Sequence, residues 1–107
     1  MKIKSVPNTI SINLPKTERG CRDHLKSYFL QECGGYTETE AEGAWRDSSG
    51  KTHKDGLIIL TSSSDQRINV EKILETAFNL TTQEAFYFTL NGEAFIAERT
   101  IAEAPPL

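Results

Sequence analysis

The stretch Tyr36-Thr37-Glu38-Thr39-Glu40-Ala41-Glu42-Gly43-Ala44-Trp45, followed by Arg46-Asp47-Ser48-Ser49-Gly50-Lys51 and then by Leu57-Ile58-Ile59-Leu60-Thr61, decides the fold. Its first part alternates strictly. Thr37, Thr39, Ala41, Gly43 and Trp45 share one face while Glu38, Glu40 and Glu42 share the other, which is the period of a strand. Asp47-Ser48-Ser49-Gly50 is turn chemistry, because Asp and Ser bond the nearby backbone and Gly accepts a positive φ. The segment 52–61 must then return antiparallel to 36–46, and its four consecutive apolar residues read as a strand covered on both faces.

Upstream of this hairpin, Thr9-Ile10-Ser11-Ile12-Asn13-Leu14 alternates as a strand over 8–14, closed by Pro15. Cys21, Leu25, Tyr28, Phe29 and Cys33 then recur at helical intervals, predicting a helix over 18–33 that Gly34-Gly35 ends. Downstream, Ser62-Ser63-Ser64-Asp65 offers helix N-caps, and Val70, Ile73, Leu74, Ala77 and Phe78 predict a helix over 66–79. These residues are expected to pack on the sheet with Leu25 and Phe29, so that Leu74→Ala costs about 2–5 kcal/mol. The aromatic run Glu84 to Leu90 predicts a strand over 84–90, and the Asn91-Gly92 turn leads into a last strand over 93–98. The order β-α-β-β-α-β plus an edge strand is that of a split βαβ, ferredoxin-like α+β fold. The expectation is an antiparallel sheet with two helices on one face, a single domain over 1–99, and a loose tail over 100–107.

With 107 residues, 37% hydrophobic and 25% charged, the chain is too apolar and, at a net charge of −3, too weakly charged to be disordered. No apolar run reaches the ~18–20 residues that span a bilayer, and Met1 to Pro7 lacks the apolar stretch of a secretory signal. The chain reads as cytoplasmic. The excess of 15 acidic over 12 basic side chains argues against a domain built to grip nucleic-acid phosphates. Cys21 and Cys33 on one helix would stand about 18 Å apart, too far for a disulfide.

Chemical motifs are sparse. Cys21, His24, Cys33 and His53 lack metal-ligand spacing, so neither metal nor other cofactor is expected. Glu38, Glu40 and Glu42 have no neighbouring His or Arg in sequence to divide acid and base roles, and no GxSxG elbow occurs. Gly50-Lys51-Thr52 enters a strand rather than a helix, which excludes a Walker loop. Arg46, Gly50, Lys51, His53 and Lys54 nevertheless form a small positive cluster that could take a small molecule or nucleotide. Trp45 is expected to fill the space left by Gly43.

Gly34-Gly35-Tyr36-Thr37, Gly43-Ala44-Trp45-Arg46-Asp47, Gly50-Lys51 and Gln83-Glu84-Ala85 together resemble the pattern of small bacterial and phage-type ferredoxin-like proteins. In that pattern GG-[YF]-T precedes a G-x-W hairpin and QE-[AS] opens the last strand. The resemblance covers roughly residues 34 to 90 in separated blocks and implies a shared fold without an activity to carry over. The outline is also similar to the trimeric signalling and metal-tolerance proteins of this topology, without an adenylate-binding motif.

Counting back through the 47–50 turn sets Trp45 opposite Thr52 and Ala41 opposite Gly56. That register puts Leu57 and Ile59 beside Glu38 and Glu40 on the sheet face that the helices leave free. Together with Tyr36 and an aromatic from 86–88, these residues are the candidate interface for a protein partner or a second copy. The expected function is a non-enzymatic interaction or homo-oligomeric module acting through this face and the 46–54 hairpin. A small-molecule or nucleotide sensor using that hairpin, and a phage or mobile-element inhibitor, are the alternatives.

Overall fold

Strict alternation in β1 (Asn8–Pro15) buries Ile10, Ile12 and Leu14 completely and turns Thr9, Ser11 and Asn13 the other way. The computed structural model describes residues 1–100, in the order β1, α1 (Arg19–Cys33), β2 (Thr37–Arg46), β3 (Thr52–Ser64), α2 (Val70–Asn79), β4 (Ala85–Leu90) and β5 (Glu93–Glu98). The strands form one sheet in the order β2-β3-β1-β4-β5, antiparallel at every junction. This is the ferredoxin-like α+β fold, with β5 as the additional edge strand. The expected tail over 100–107 lies, beyond Thr100, outside the described residues. No helix among the described residues is long and apolar enough to cross a membrane.

Both helices lie on one side of the sheet. Cys21, Leu25 and Phe29 of α1 and Ile73, Ala77 and Phe78 of α2 are buried in one core with Ile58 and Leu60 of β3 and Phe86 and Phe88 of β4. Phe78 meets Phe86 edge-on at 4.9 Å. Gly34 ends α1 at φ 87°, its N–H donating to the Leu30 carbonyl, where a side chain would be strained. Burial pushes the Cys21 thiol up to about 11, with Glu18 adding to it, so Cys21 behaves as a small apolar core residue.

Two expected boundaries shift. β3 continues to Ser64 rather than stopping at 61, because Ser62 and Ser64 pair with Ile10 and Asn8 of β1. Their hydroxyls are used there and do not cap a helix: Ser62 donates to the Gly35 carbonyl at 2.6 Å, and Ser64 accepts from the Gln66 N–H. α2 accordingly begins at Val70, capped by the Asn69 side chain, which accepts from the Lys72 N–H at 3.1 Å. Leu74 and Val70 are only half-buried, whereas Ile73 is fully enclosed. The cost of Leu74→Ala therefore falls to the bottom of the ~2–5 kcal/mol range and that of Ile73→Ala lies inside it.

The hairpin register is one residue away from the sequence expectation. Trp45 pairs with His53, Ala41 with Leu57 and Glu40 with Ile58. A one-residue slip exchanges the faces of a whole strand relative to its partner. Glu38, Glu40 and Glu42 hence lie on the helix side with Ile58 and Leu60, while Leu57 and Ile59 lie on the free side with Thr39 and Ala41. The space above Gly43 is taken by Leu57, whose Cδ1 would stand 2.7 Å from a Cβ there, and not by Trp45.

Candidate functional site

The expected interface set divides across the sheet. Glu38 faces α1, with Lys26 Nζ 3.4 Å and Arg22 Nε 3.7 Å from its carboxylate, and Glu40 meets Lys16 at 3.5 Å. Tyr36 packs partly buried against the core, under the Lys26 ammonium at 5.4 Å. These three belong to the edge of the helix layer. Leu57 and Ile59 alone of that set stay on the free face, joined there from 86–88 by Tyr87.

The free face has an unusual composition for water. Its positions over 9–15, 37–41, 57–63, 87–89 and 94–96 carry no charged side chain, in a chain that is 25% charged, and Glu98, opposite Ala85 at the outer edge, is the carboxylate that ends this stretch. The strand period places Thr, Ser, Asn and Pro on β1, Thr and Ala on β2, and Leu57, Ile59, Thr61 and Ser63 on β3. Two cross-strand pairs bond their hydroxyls to each other: Thr9 with Ser63 at 2.8 Å and Ser11 with Thr61 at 2.7 Å. Hydroxyls already paired within the sheet lose fewer water bonds when the face is covered, which lowers the cost of covering it. Tyr87 and Ile96, neighbours across β4 and β5, are 46% and 67% exposed on this face.

Beyond the end of β1 the β2–β3 hairpin continues without a sheet beside it. Lys16 N–H still bonds the Gly56 carbonyl, but the pairs from Glu42 with Gly56 to Arg46 with Thr52 belong to the two-stranded arm alone. At ~3.4 Å per residue its paired part is about 14–17 Å long. The turn is built around Asp47, whose Oδ1 accepts from the Ser49 hydroxyl at 2.6 Å, the Ser49 N–H at 2.9 Å and the Lys51 N–H at 3.0 Å. Its other oxygen lies 2.8 Å from His53 Nε2. The Ser49 hydroxyl first, then His53 and the Lys51 N–H, lower the Asp47 carboxyl from 3.8 to about 2. Gly50 completes the turn at φ 87°.

His53 in turn supports Trp45. The rings stack at 4.4 Å and 16°, and the indole N–H donates to Asp55 at 3.0 Å. Among the expected ligand residues, His53 is thus committed to Asp47 and Trp45. Gly50 and Lys51 lie in and beside the turn, and Arg46 and Lys54 project from the opposite face of the arm to His53. The metal-type residues are scattered: Cys21 is in the core, Cys33 at the end of α1, His24 on its outer surface and His53 in the arm.

Because the folded Asp47 has a lowered pKa, the order it confers is complete above about pH 4 and is lost as pH falls toward 2. Trp45 is the single tryptophan, so its fluorescence is expected to change over that interval in the parent and not in Asp47→Asn. A parent signal that stays flat there would contradict the Asp47-centred turn.

Three side chains outside the expected set hold the arm and the end of β5. Asp55 holds Trp45, and Asp47, a turn former by residue type, also grips His53. Arg99 is the third. Its guanidinium donates to the Phe78, Thr81 and Gln83 carbonyls and lies 5.0 Å over the Phe78 ring, tying the end of β5 to the end of α2. Asp55 faces with Trp45 only in the register the structure shows, with Trp45 opposite His53, and no local pattern announces Arg99.

No protein-family model matches the chain, and no curated protein matches it. Among solved structures, the fold is similar to that of a phage SAM lyase in its apo state, with TM-score 0.56 and 10% identity over 92% of this chain and 94% of that one. The same lyase in complex with S-methyl-5'-thioadenosine matches at TM-score 0.54, with the same identity and coverage. At this identity the likeness concerns the fold.

Proposed function

We propose that the chain is a self-associating module in which the free sheet face is covered by further copies of itself. The observation that carries this reading is a free face uncharged up to Glu98 at its outer edge, with Leu57, Ile59, Tyr87 and Ile96 on it and four of its hydroxyls bonded to each other in pairs. A surface left to water normally mixes charges of both signs. Here the charges lie on the helix side, on the arm and at the outer edge. An uncharged face is best matched by another uncharged face, and a second copy supplies one. Sedimentation at micromolar concentration tests the reading: the expected mass is a multiple of 12.0 kDa, and a monomer at every concentration would refute it.

The fold comparison favours a second reading, an adenosyl-sulphur ligand, because the likeness to the phage SAM lyase spans nearly the whole of both chains. A groove of about 460 Å³ between Cys33, Gly34, Tyr36, Ser62 and Ser64, with Lys4 at its rim, has the size of a small-ligand site. A ligand that binds only the folded chain raises its melting temperature, by about 2.7 kcal/mol of stability at a hundredfold excess over Kd. Melting with S-methyl-5'-thioadenosine and with SAM, together with chromatography of SAM after incubation, separates a binder from an enzyme. Unchanged melting and intact SAM would rule this reading out.

A further inference from the structure

On the helix side of the sheet, away from the free face, a cleft of about 320 Å³ opens between the first turn of α2 and the β4–β5 hairpin. Ile68, Val70, Phe88, Leu90 and Phe95 form its walls. Phe88 and Phe95 pair across the two strands on the side of Ile12, and their rings stack at 5.2 Å and 18°. Phe88 is buried, whereas Phe95 is 38% exposed. A stacked pair with its outer ring open to a cleft is a surface on which a further aromatic group gains both burial and ring contact. The volume sits at the small end of the roughly 300–1,000 Å³ of ligand pockets, which suits a compact ligand.

The polar groups that line the cleft fall into two complementary sets. Arg67 and Glu71 both border it, yet neither forms an ion pair with the other or with any side chain among the described residues. One cation and one carboxylate thus stand over the same opening. Asn91 accepts from the Thr9 N–H at 2.8 Å through its side-chain oxygen, which leaves its amide hydrogens to donate. Asn8 does the reverse: its amide donates to the Gln66 carbonyl at 2.8 Å, which leaves its oxygen to accept. Both orientations are fixed, because a backbone N–H only donates and a carbonyl only accepts. Arg67 with Asn91 is a donor pair suited to a carboxylate, and Glu71 with Asn8 is an acceptor pair suited to an ammonium.

We propose that this cleft binds a free α-amino acid with an aromatic side chain, its ring on Phe95, its carboxylate held by Arg67 and Asn91 and its ammonium by Glu71 and Asn8. A simple anion would meet Glu71 and a simple cation would meet Arg67, whereas a zwitterion satisfies both. The cleft lies on the opposite side of the sheet from the free face, so binding here does not depend on the self-association proposed above.

Titration calorimetry of the full chain with L-phenylalanine, phenethylamine and phenylpropionate tests the site, the second lacking the carboxylate and the third the ammonium. Saturable binding of L-phenylalanine is expected, with each analogue weaker by about tenfold or more for the loss of one charge-assisted contact. Arg67 and Glu71 are exposed, so their variants keep the fold. Arg67→Ala should abolish the preference for L-phenylalanine over phenethylamine and keep that over phenylpropionate. Glu71→Gln should do the converse, while Glu75→Gln, an exposed carboxylate further along α2, changes neither. A chain that takes up no L-phenylalanine at millimolar concentration, an analogue that binds as tightly as the amino acid, or variants that leave both preferences intact would each overturn the proposal.

Discussion

Leu57→Glu combined with Ile59→Glu is expected to leave a folded chain that no longer self-associates. Both side chains are half-buried on the free face, so a glutamate there can reach water in the separate monomer. In an assembly the same carboxylates would be enclosed without partners, a penalty of about 3–5 kcal/mol each, or more than a hundredfold in affinity. The parity of the strand supplies the control. Leu60 is fully buried on the helix side, and Leu60→Glu is expected to prevent folding. Circular dichroism and sedimentation of the three chains check this. A double variant that is folded and assembles like the parent would place the contact elsewhere.

Phe29→Ala is expected to cost about 3–5 kcal/mol, at the upper end of what a single truncation in the core costs. Phe29 is completely buried and, with Phe86, the largest side chain so enclosed among the described residues, on the α1 stripe with Cys21 and Leu25. Its removal takes apolar area from burial and leaves a cavity between helix and sheet that the rigid strands beneath cannot close. For a domain whose total stability is of order 5–15 kcal/mol, that is a third or more of the margin. Urea unfolding of both chains measures it as a fall in midpoint at unchanged slope. A loss under 1 kcal/mol would mean that α1 does not seal the core.

The elements and their order were legible because each carries its own period, and because Gly34, Asn91 and Gly92 punctuate them at positive φ. The ends of β3 and α2 were less so. Ser62 and Ser64 are good caps by residue type, and only their pairing with β1 shows that they remain in the sheet. The hairpin register depended on whether the loop holds four residues or five. Asp47 closes five by accepting from both Ser49 and Lys51, a choice that composition does not reveal. From that one residue followed the division of the expected interface, with Glu38 and Glu40 moving to Lys26, Arg22 and Lys16. The stack of Trp45 on His53 follows from the same register, since a pairing of Trp45 with Thr52 would have set the two rings on opposite faces.

Hydroxyl-radical labelling of the parent across a dilution series tests burial of the free face most directly, because it reads side chains one by one. Leu57, Ile59, Tyr87 and Ile96 should be protected at high concentration and become labelled on dilution, while Leu30 and Leu80, exposed at 55% and 45% elsewhere on the surface, stay labelled throughout. Labelling of Tyr87 and Ile96 that does not change with concentration, at levels matching Leu30 and Leu80, would contradict it.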